Sequence, residues 1–284
     1  MSGTLLVADE RWASDAEATL WQWIHRADAA VNRFLPESEI SRLNRDSELY
    51  DVSDDFFTFL NAAQFAYDIT GGLCDPAVAG VLNAWGYSVD FDQIPDQVFV
   101  QPLPRTHGMG SLEITSSERY ISTCCPIDFG ATAKALVVDL AVADIATYCD
   151  CLVEIGGDVG VSTAVTGDEW IVGVAPDGPE PQAPQVALRS GGLATSTTTY
   201  RAWATDRGRA HHIIDPRTGS PAVSQWRAAT IAAPSCVEAN AFATATFLWN
   251  DDAPWHIAQS GWAGRLVAHD GEILTVGSWP KGDE

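Results

Sequence analysis

Strand-like segments occur in neighbouring pairs along this chain, and long Ala-rich helical segments separate the pairs. They do not repeat as strict strand–helix–strand units, so the pattern favours an α+β fold over a doubly wound parallel sheet. We therefore predict mixed, largely antiparallel sheets flanked by helices. The predicted helices cover 14–33, 53–70, 77–84, 135–148 and 236–249, the predicted strands cover 111–127, 151–155, 159–165, 170–175 and 185–188, the segment 254–278 is predicted as a helix followed by a short hairpin, and 91–110 and 176–184 are predicted as loops.

Capping signals mark where two of the helices begin. Ser38 precedes a short apolar helical turn, and Ser53 or Asp54 precedes the 53–70 helix. Side-chain oxygens of Ser and Asp cap helices because they accept hydrogen bonds from the amides of the first turn. These residues therefore predict the starting points of two helices.

The length and charge of the chain limit its class. With 284 residues, 46% of them hydrophobic, it can bury a substantial core, and we predict one domain over 1–284, although length alone also allows two smaller domains. The 38 Asp and Glu against 16 Lys and Arg give a formal net charge of −22. This charge argues against binding nucleic acid or an anionic membrane, which need a positive surface. It is typical of a solvated surface, with a high-salt habitat as the alternative.

The cysteines and the N-terminus indicate a reducing compartment. None of the six cysteines forms a Cys-x-x-Cys pair, so a zinc site is not expected. The first ten residues have no basic segment, and their apolar run is too short for a signal peptide. No apolar stretch in the sequence is long enough to span a bilayer. We therefore expect a cytoplasmic protein without membrane insertion.

The run His211–Gly219 concentrates two imidazoles, a carboxylate, a guanidinium and a hydroxyl in one strand-to-turn segment. Ile213 and Ile214 predict a short strand, and Asp215 followed by Pro216 predicts a tight turn. Side chains that leave a strand end into a rigid turn are well placed to hold a ligand. An ordinary strand and turn with scattered polar groups is the alternative.

Two glycine-containing segments are candidates for anion binding. Asp128–Lys134 is a small-residue loop that enters a helix, whose N-terminal amides favour an anion, and Lys134 adds a positive charge. Glu154–Asp158 is a strand ending in two glycines, which let a ligand or another backbone approach closely. The alternatives are a packing loop in the first case and a plain hairpin turn in the second.

Hydroxyl and amide side chains form two more candidate clusters. Gly191–Arg201 joins a double glycine to a row of hydroxyls, which would line a polar ligand or form a Thr-rich strand. On a helix, Asn240 and Thr244 lie one turn apart and share a face. Two oxygen ligands on one face suit a hard cation such as Mg²⁺. Packing within the helix layer, with local hydrogen bonds, is the alternative.

Seven landmarks, the motifs above among them, follow one another along about residues 20–250: Ser38–Asn44, Gly71–Pro76, Asp128–Lys134, Ile155–Asp158, Ala194–Ser196, His211–Gly219 and Ala239–Thr244. In this order they resemble the ApbE-like FAD:protein FMN transferase family. The resemblance implies an ApbE-like, T-fold-like α+β domain that binds FAD with Mg²⁺. It also implies transfer of the FMN half of FAD to a Ser or Thr hydroxyl of an acceptor flavoprotein, with release of AMP.

The resemblance further implies which residues form the site. The implied FAD-binding residues are Phe34, Asn44, Leu73, Cys74, Asp75, Asp128, Lys134, Gly157, Asp158, Ser196 and Ile213. The implied Mg²⁺ ligands are the backbone carbonyl of Ala131 and the side chains of Asn240 and Thr244. The predicted catalytic residues are His212 and Asp128.

His212 is our first choice as general base or acid. Attack of a hydroxyl on a pyrophosphate needs charge neutralisation, in-line positioning and a group that takes the hydroxyl proton. A free imidazole titrates near neutral pH and suits that last role. Asp128 and Asp158 are the alternatives, and Lys134 would assist electrostatically.

The chain departs from the family pattern at Asn240, where the family usually has Asp. A neutral amide is a weaker Mg²⁺ ligand than a carboxylate, so a lower metal affinity is expected. Two other activities are therefore kept as alternatives. One is FAD pyrophosphatase activity, which would give FMN and AMP, and the other is FAD binding without catalysis.

Overall fold

Helices and antiparallel strands both contribute to the computed structural model, which describes residues 3–101, 108–175 and 183–279. This mixture confirms the predicted α+β class. The helices are α1 (Ala13–Val31), α2 (Glu39–Asp46), α3 (Asp54–Ile69), α4 (Ala79–Ala84), α5 (Ala133–Ile145), α6 (Cys236–Trp249) and α7 (Ala253–Ser260). The strands are β1 (Gly3–Val7), β2 (Glu48–Leu49), β3 (Leu112–Thr115), β4 (Tyr120–Thr123), β5 (Cys151–Ile155), β6 (Asp158–Ser162), β7 (Trp170–Gly173), β8 (Gln185–Leu188), β9 (Ser190–Thr197), β10 (Ala202–Thr205), β11 (Gly208–His211), β12 (Ile214–Asp215), β13 (Ser220–Pro221), β14 (Trp226–Ala233), β15 (Ala263–Ala268) and β16 (Ile273–Val276).

The chain forms two compact units. The first unit comprises Met1–Ile24, Lys134–Thr197 and Ser224–Glu284, and the second comprises His25–Ala133 and Thr198–Val223. Because each unit is assembled from separated stretches of sequence, neither could be cut out as one continuous segment. The single domain over 1–284 stays a prediction.

The first unit is built on a seven-stranded sheet in the order β1-β5-β6-β9-β14-β15-β16, in which all neighbours are antiparallel. Two glycines allow helices to pack close to one face. A Cβ on Gly160 would lie 2.6 Å from Cγ1 of Val138 in α5, and one on Gly192 would lie 2.4 Å from Cα of Cys236 in α6. The opposite face buries an apolar cluster that includes residues of the β7–β8 hairpin.

The second unit contains α2, α3 and α4 with three small sheets, ordered β2-β4-β3, β10-β11 and β12-β13. An aromatic cluster forms part of its core. Trp203 donates from Nε1 to the carbonyl of Trp85 at 2.8 Å, and its ring lies 5.6 Å from that of Tyr87. Trp85 and Tyr87 therefore pack within the second unit.

Several sequence predictions hold at the level of single residues. Ser38 caps α2 by accepting from the Ser41 amide at 3.2 Å, and Ser53 caps α3 by accepting from the Phe56 amide at 3.0 Å. The bounds of β5, β8 and α6 match those predicted, and the helix and hairpin of 254–278 are confirmed as α7, β15 and β16.

Other elements were missed or misjudged. Strands β1, β2, β10, β11, β13 and β14 were not predicted, and the predicted strand region 111–127 forms two strands, β3 and β4. The predicted strand 159–165 ends at Ser162, because the amides of Val165 and Thr166 turn away to donate to the buried carboxylate of Asp150, at 2.8 and 2.5 Å. Residues 102–107 and 176–182, which belong to the predicted loops, lie outside the described residues. Within the described ranges, none of the helices has the length and apolar character needed to cross a membrane.

Candidate functional site

In the first unit, the start of α6 is capped from two sides. The Ser235 hydroxyl accepts from the Glu238 amide at 3.2 Å, and the Asp139 carboxylate, on α5, accepts from the amides of Cys236 and Val237 at 2.7 and 3.0 Å. These acceptors satisfy amides that would otherwise have no partner inside the helix. They fix where α6 begins and so fix the positions of the side chains in its second turn.

Asn240 lies in that second turn, and Thr244 lies one turn after it. Asn240 is only 7% exposed and donates from Nδ2 to Oδ1 of Asp158 at 2.5 Å. Its own Oδ1 is buried and accepts no hydrogen bond from any part of the chain that the structure describes. One turn later, Oγ1 of Thr244 lies 3.5 Å from Oγ of Ser196 on β9. The helix thus presents an amide oxygen and a hydroxyl on the shared face that their spacing predicted.

Asp158 is the first residue of β6 and is 2% exposed. It follows the two-residue turn Gly156–Gly157, in which both glycines have positive φ (61° and 94°). Two such residues in a row are typical of tight hairpin turns. The glycine pair therefore forms a hairpin turn, which was one of the two interpretations of this segment from the sequence. The Gly157 amide donates to Oε1 of Glu154 at 2.9 Å, and its carbonyl accepts from the Thr195 amide at 3.1 Å.

Lys134 lies beside this turn. Its Nζ is 3.8 Å from Oδ2 of Asp158, and its side chain is 19% exposed. A Cβ on Gly156 would lie 3.6 Å from Cε of Lys134, so the glycine also leaves room for the lysine side chain. Lys134, Asp158 and Asn240 therefore form one charged and hydrogen-bonded cluster.

The hydroxyl row of β9 is divided between the two faces of the sheet. Ser196 points to α6, whereas Thr195 bonds to Thr230 of β14 at 2.9 Å between their hydroxyls, and Thr197 donates to the carbonyl of Arg227 at 3.1 Å. This part of the row is thus a Thr-rich strand. Of Thr195, Ser196 and Thr197, only Ser196 has its side chain next to α6, the helix that carries Asn240 and Thr244.

The second unit holds the other predicted residues, with Asp128 at their centre. Its Oδ2 lies 2.9 Å from Nε of Arg33, in a pair whose side chains are only 9% (Arg33) and 11% (Asp128) exposed, and its Oδ1 accepts from the Gly130 amide at 2.5 Å. Arg33 also donates to the Tyr87 carbonyl at 2.7 Å, and its guanidinium carbon lies 4.2 Å from the ring centre of Phe34. Asp128 and Phe34 are therefore linked through Arg33.

Asn44 holds the segment that leads to Asp128. Its Nδ2 donates to the carbonyl of Ile127, and its Oδ1 accepts from the amide of the same residue, both at 2.8 Å. The Asp128 amide in turn donates to the Pro76 carbonyl at 2.8 Å. Asn44 thus uses both ends of its amide on the backbone, which is a positioning role for the neighbouring carboxylate.

The Leu73–Asp75 loop is held internally as well. The Cys74 amide donates to Oγ1 of Thr70 at 3.0 Å, and Oδ1 of buried Asp75 accepts from the Ala77 amide at 2.8 Å. Burial raises the pKa of the Cys74 thiol to about 12, and Asp75 adds to the effect. The thiol therefore stays protonated at neutral pH and is not a nucleophile. Leu73 is half-buried.

The histidine run forms the predicted turn, and its strand is β12 (Ile214–Asp215), so Ile213 of the predicted Ile213–Ile214 strand lies just outside it. Asp215 accepts, through its carbonyl, from the amides of Thr218 and Gly219 at 3.1 and 2.9 Å. Its carboxylate is paired with Arg217 at 2.9 Å. His212 is half-buried between β11 and β12, and the following Ile213 is buried. The charged side chains of the turn thus pair with each other.

The structure brings the predicted residues together in two sets. Lys134, Gly157, Asp158, Ser196, Asn240 and Thr244 belong to the first unit. Phe34, Asn44, Leu73, Cys74, Asp75, Asp128, Ala131, His212 and Ile213 belong to the second, with Ala131 exposed in the turn before α5.

Two residues that contact these sets or the elements carrying them, Asp139 and Arg33, were missed by sequence reasoning. Asp139 is a single acid within the apolar stretch Ala135–Ala141, and acidic residues are rarely placed among apolar ones without a partner, so this signal was available. Burial raises the pKa of Asp139 to about 6, with Asp158 and Glu238 adding to it and the two capping amides opposing it. Arg33 gave no such signal, because a basic residue at the end of the predicted 14–33 helix is ordinary for a helix C-terminus.

The whole chain can be compared with known proteins. The model of the ApbE family matches residues 3–266. The FAD:protein FMN transferase of Chlamydia trachomatis serovar D is 27% identical over 229 residues, covering 77% of this chain and 71% of the relative. That of Rhodobacter capsulatus is 30% identical over 235 residues, covering 77% of this chain and 45% of the relative.

A solved structure has the same fold. The crystal structure of the ApbE protein from Thermotoga maritima MSB8 superposes with a TM-score of 0.83 at 22% identity, covering 96% of this chain and 93% of the other. The match to the family model extends over nearly all of the sequence, and it includes the segments that hold both sets of candidate residues. The chain therefore belongs to the ApbE family.

Proposed function

We propose that this protein is an FAD:protein FMN transferase, which moves FMN from FAD to a Ser or Thr hydroxyl of an acceptor flavoprotein, releases AMP and depends on Mg²⁺. Curated relatives that carry this name support the reaction. The structural observation that carries the proposal is the buried Asn240 oxygen, which accepts no hydrogen bond within the described chain and lies one turn from Thr244. A cytoplasmic location belongs to the same proposal.

The residues fit a hard cation. Mg²⁺ takes oxygen ligands and retains water and phosphate oxygens in its shell. A buried amide oxygen without a protein donor is costly unless a ligand satisfies it, which the ion would do. Asn240 and Thr244 would hold it, with the Ala131 carbonyl as the further predicted ligand. When bound, Mg²⁺ would neutralise charge on the pyrophosphate of FAD.

The contacts of the carboxylates favour His212 as the proton acceptor. Asp128 accepts from Arg33 and Gly130, and Asp158 accepts from Asn240. Carboxylate oxygens that already accept from protein donors are less available to a substrate hydroxyl. We therefore assign to His212 the removal of the proton from the acceptor hydroxyl. Lys134 would add positive charge near the phosphates.

One assay tests the proposal. The purified protein is incubated with FAD, MgCl₂ and an apo-flavoprotein whose known FMN-bearing residue is Thr, and a Thr→Ala form of that acceptor serves as control. A gain in acceptor mass equal to FAD minus AMP (one FMN less one water), with AMP in equal amount, is the expected result. AMP without labelled acceptor would indicate FAD hydrolysis, and intact bound FAD without turnover would indicate a binding protein. Either outcome contradicts the proposed transfer.

The same assay tests the role of His212. His212→Ala should lower the rate of transfer by about 10²- to 10⁴-fold, which is the usual contribution of a general base. Asp251→Asn, at an exposed position after α6, is the control and should transfer at the normal rate. An unchanged rate in the His212 variant would exclude the assignment.

A further inference from the structure

The amide of Asn240 can present either of two different atoms to a ligand. Its oxygen only accepts hydrogen bonds, and its nitrogen only donates. A cation can be held by the oxygen alone, so the amide must be turned one way for the residue to act as a ligand. The two orientations occupy the same volume, and packing by itself does not distinguish them.

Asp158 distinguishes them. Its carboxylate lies 2.5 Å from Nδ2 of Asn240, and an ionised carboxylate can only accept. With the amide turned over, two oxygens that accept but do not donate would face each other at this distance. Asp158 therefore keeps the nitrogen on its own side and leaves the oxygen of Asn240 on the other, where no described protein group donates to it.

Asp158 is itself held in place. It pairs with Ile155 across the hairpin and with Ala194 on β9, so its backbone lies in the interior of the seven-stranded sheet. Its side chain is almost fully buried, and Oδ2 lies 3.8 Å from the Lys134 ammonium. The sheet and the lysine thus fix the carboxylate directly behind the Asn240 amide.

We propose that Asp158 is a positioning residue that orients the Asn240 amide so that its oxygen can hold the divalent cation. Asp158 acts through Asn240 and is not itself a ligand of the ion. This inference rests on the proposed function, because it assumes the metal ligands named there.

A double-mutant cycle on metal affinity tests the proposal. Mn²⁺ binding to the full chain is measured by electron paramagnetic resonance, with FAD and without acceptor, for the wild type, Asp158→Asn, Asn240→Ala and the double variant. Asp158→Asn should weaken Mn²⁺ binding by about 10-fold or more, which is typical when a group that orients a metal ligand is changed. In the Asn240→Ala background the same change should have almost no effect, since there is no amide left to orient.

Thermal unfolding without metal separates positioning from a structural role. Asp150→Asn is the matched control, because Asp150 is an equally buried aspartate of the first unit that caps a loop outside the cluster. It should lower the melting temperature and leave Mn²⁺ affinity unchanged. Asp158→Asn should change Mn²⁺ affinity even if the melting temperature falls by a similar amount.

The outcomes separate this inference from the proposed function. The positioning role is overturned if Asp158→Asn weakens Mn²⁺ binding equally in the wild-type and Asn240→Ala backgrounds, or if it weakens binding in neither. In both cases, FMN transfer by the wild type would still support the proposed function. A wild-type protein that binds no Mn²⁺ overturns both, because the ligands themselves would then be wrong.

Discussion

Asp139 shows how a single half-buried carboxylate can link two helices of the first unit. It projects from α5 and accepts from the first two amides of α6, so the charge that burial penalises is stabilised by the amides at a helix start. The penalty is the larger effect, since the pKa of Asp139 is raised from 3.8 to about 6. The protonated form is therefore favoured by folding.

This shift predicts how stability depends on pH. A carboxylate whose pKa is raised in the folded state contributes stability that is complete below about pH 3.8 and is lost as the pH rises through about 6. For a shift of this size the loss is roughly 3 kcal/mol in the free energy of unfolding. Asp139→Asn should remove that part of the pH dependence in urea unfolding measured between about pH 4 and 7.

Asp144→Asn is the control for this measurement. Asp144 lies on the same helix, is exposed and accepts from Nε1 of Trp23 at 2.7 Å. Its substitution should leave the pH dependence intact. If Asp139→Asn shows the same slope as the wild type, the carboxylate is not the titrating group.

At the scale of elements, the close approach of α6 to β9 depends on Gly192. The backbone of Cys236 occupies the space where a side chain at 192 would begin. Gly192→Ala should therefore push α6 away from the sheet and lower the free energy of unfolding by about 1–3 kcal/mol or more. Mn²⁺ affinity should fall with it, because the helix carries Asn240 and Thr244.

Gly173→Ala provides the comparison in the same unit. Among the described residues, a Cβ there would meet only the Cβ of Ala183, at an ordinary distance of 3.8 Å. Urea unfolding and Mn²⁺ binding should both stay close to those of the wild type. A Gly192→Ala protein with normal stability would show that α6 can shift without cost.

Elements differed in how far the sequence could predict them. The capping roles of Ser38 and Ser53 and the bounds of α6 follow from neighbouring residues, and so does the shared face of Asn240 and Thr244. Strand β1 was missed because its short apolar run pairs with β5, about 150 residues further along the chain. The contact of Asp158 with Asn240 likewise joins residues 82 positions apart, which local spacing cannot indicate.

At the scale of the whole molecule, the net charge of −22 is the dominant property. Excess charge of one sign repels itself in the compact state, and salt screens this repulsion. The melting temperature should therefore rise as KCl is increased from about 0.05 M to about 0.5 M at pH 7. Differential scanning fluorimetry would measure the change.

The same titration near the isoelectric point, about pH 4.4, is the control, since the net charge there is close to zero. The rise with salt should disappear at that pH. A melting temperature that is insensitive to KCl at pH 7 would contradict the repulsion. If the protein is unfolded at salt concentrations below about 1 M, that result would instead support a high-salt habitat as the explanation of the net charge.

The tight turn Gly156–Gly157 also limits the insertions and deletions that natural relatives and designed variants can tolerate at this point of the chain. Successive residues of a strand face opposite sides of a sheet, so Asp158 faces the helices only while the turn has two residues. Inserting or deleting one residue would move the carboxylate to the face that buries the β7–β8 hairpin. Homologues and designed variants should therefore vary in length at 163–169, between β6 and β7, but not between β5 and β6.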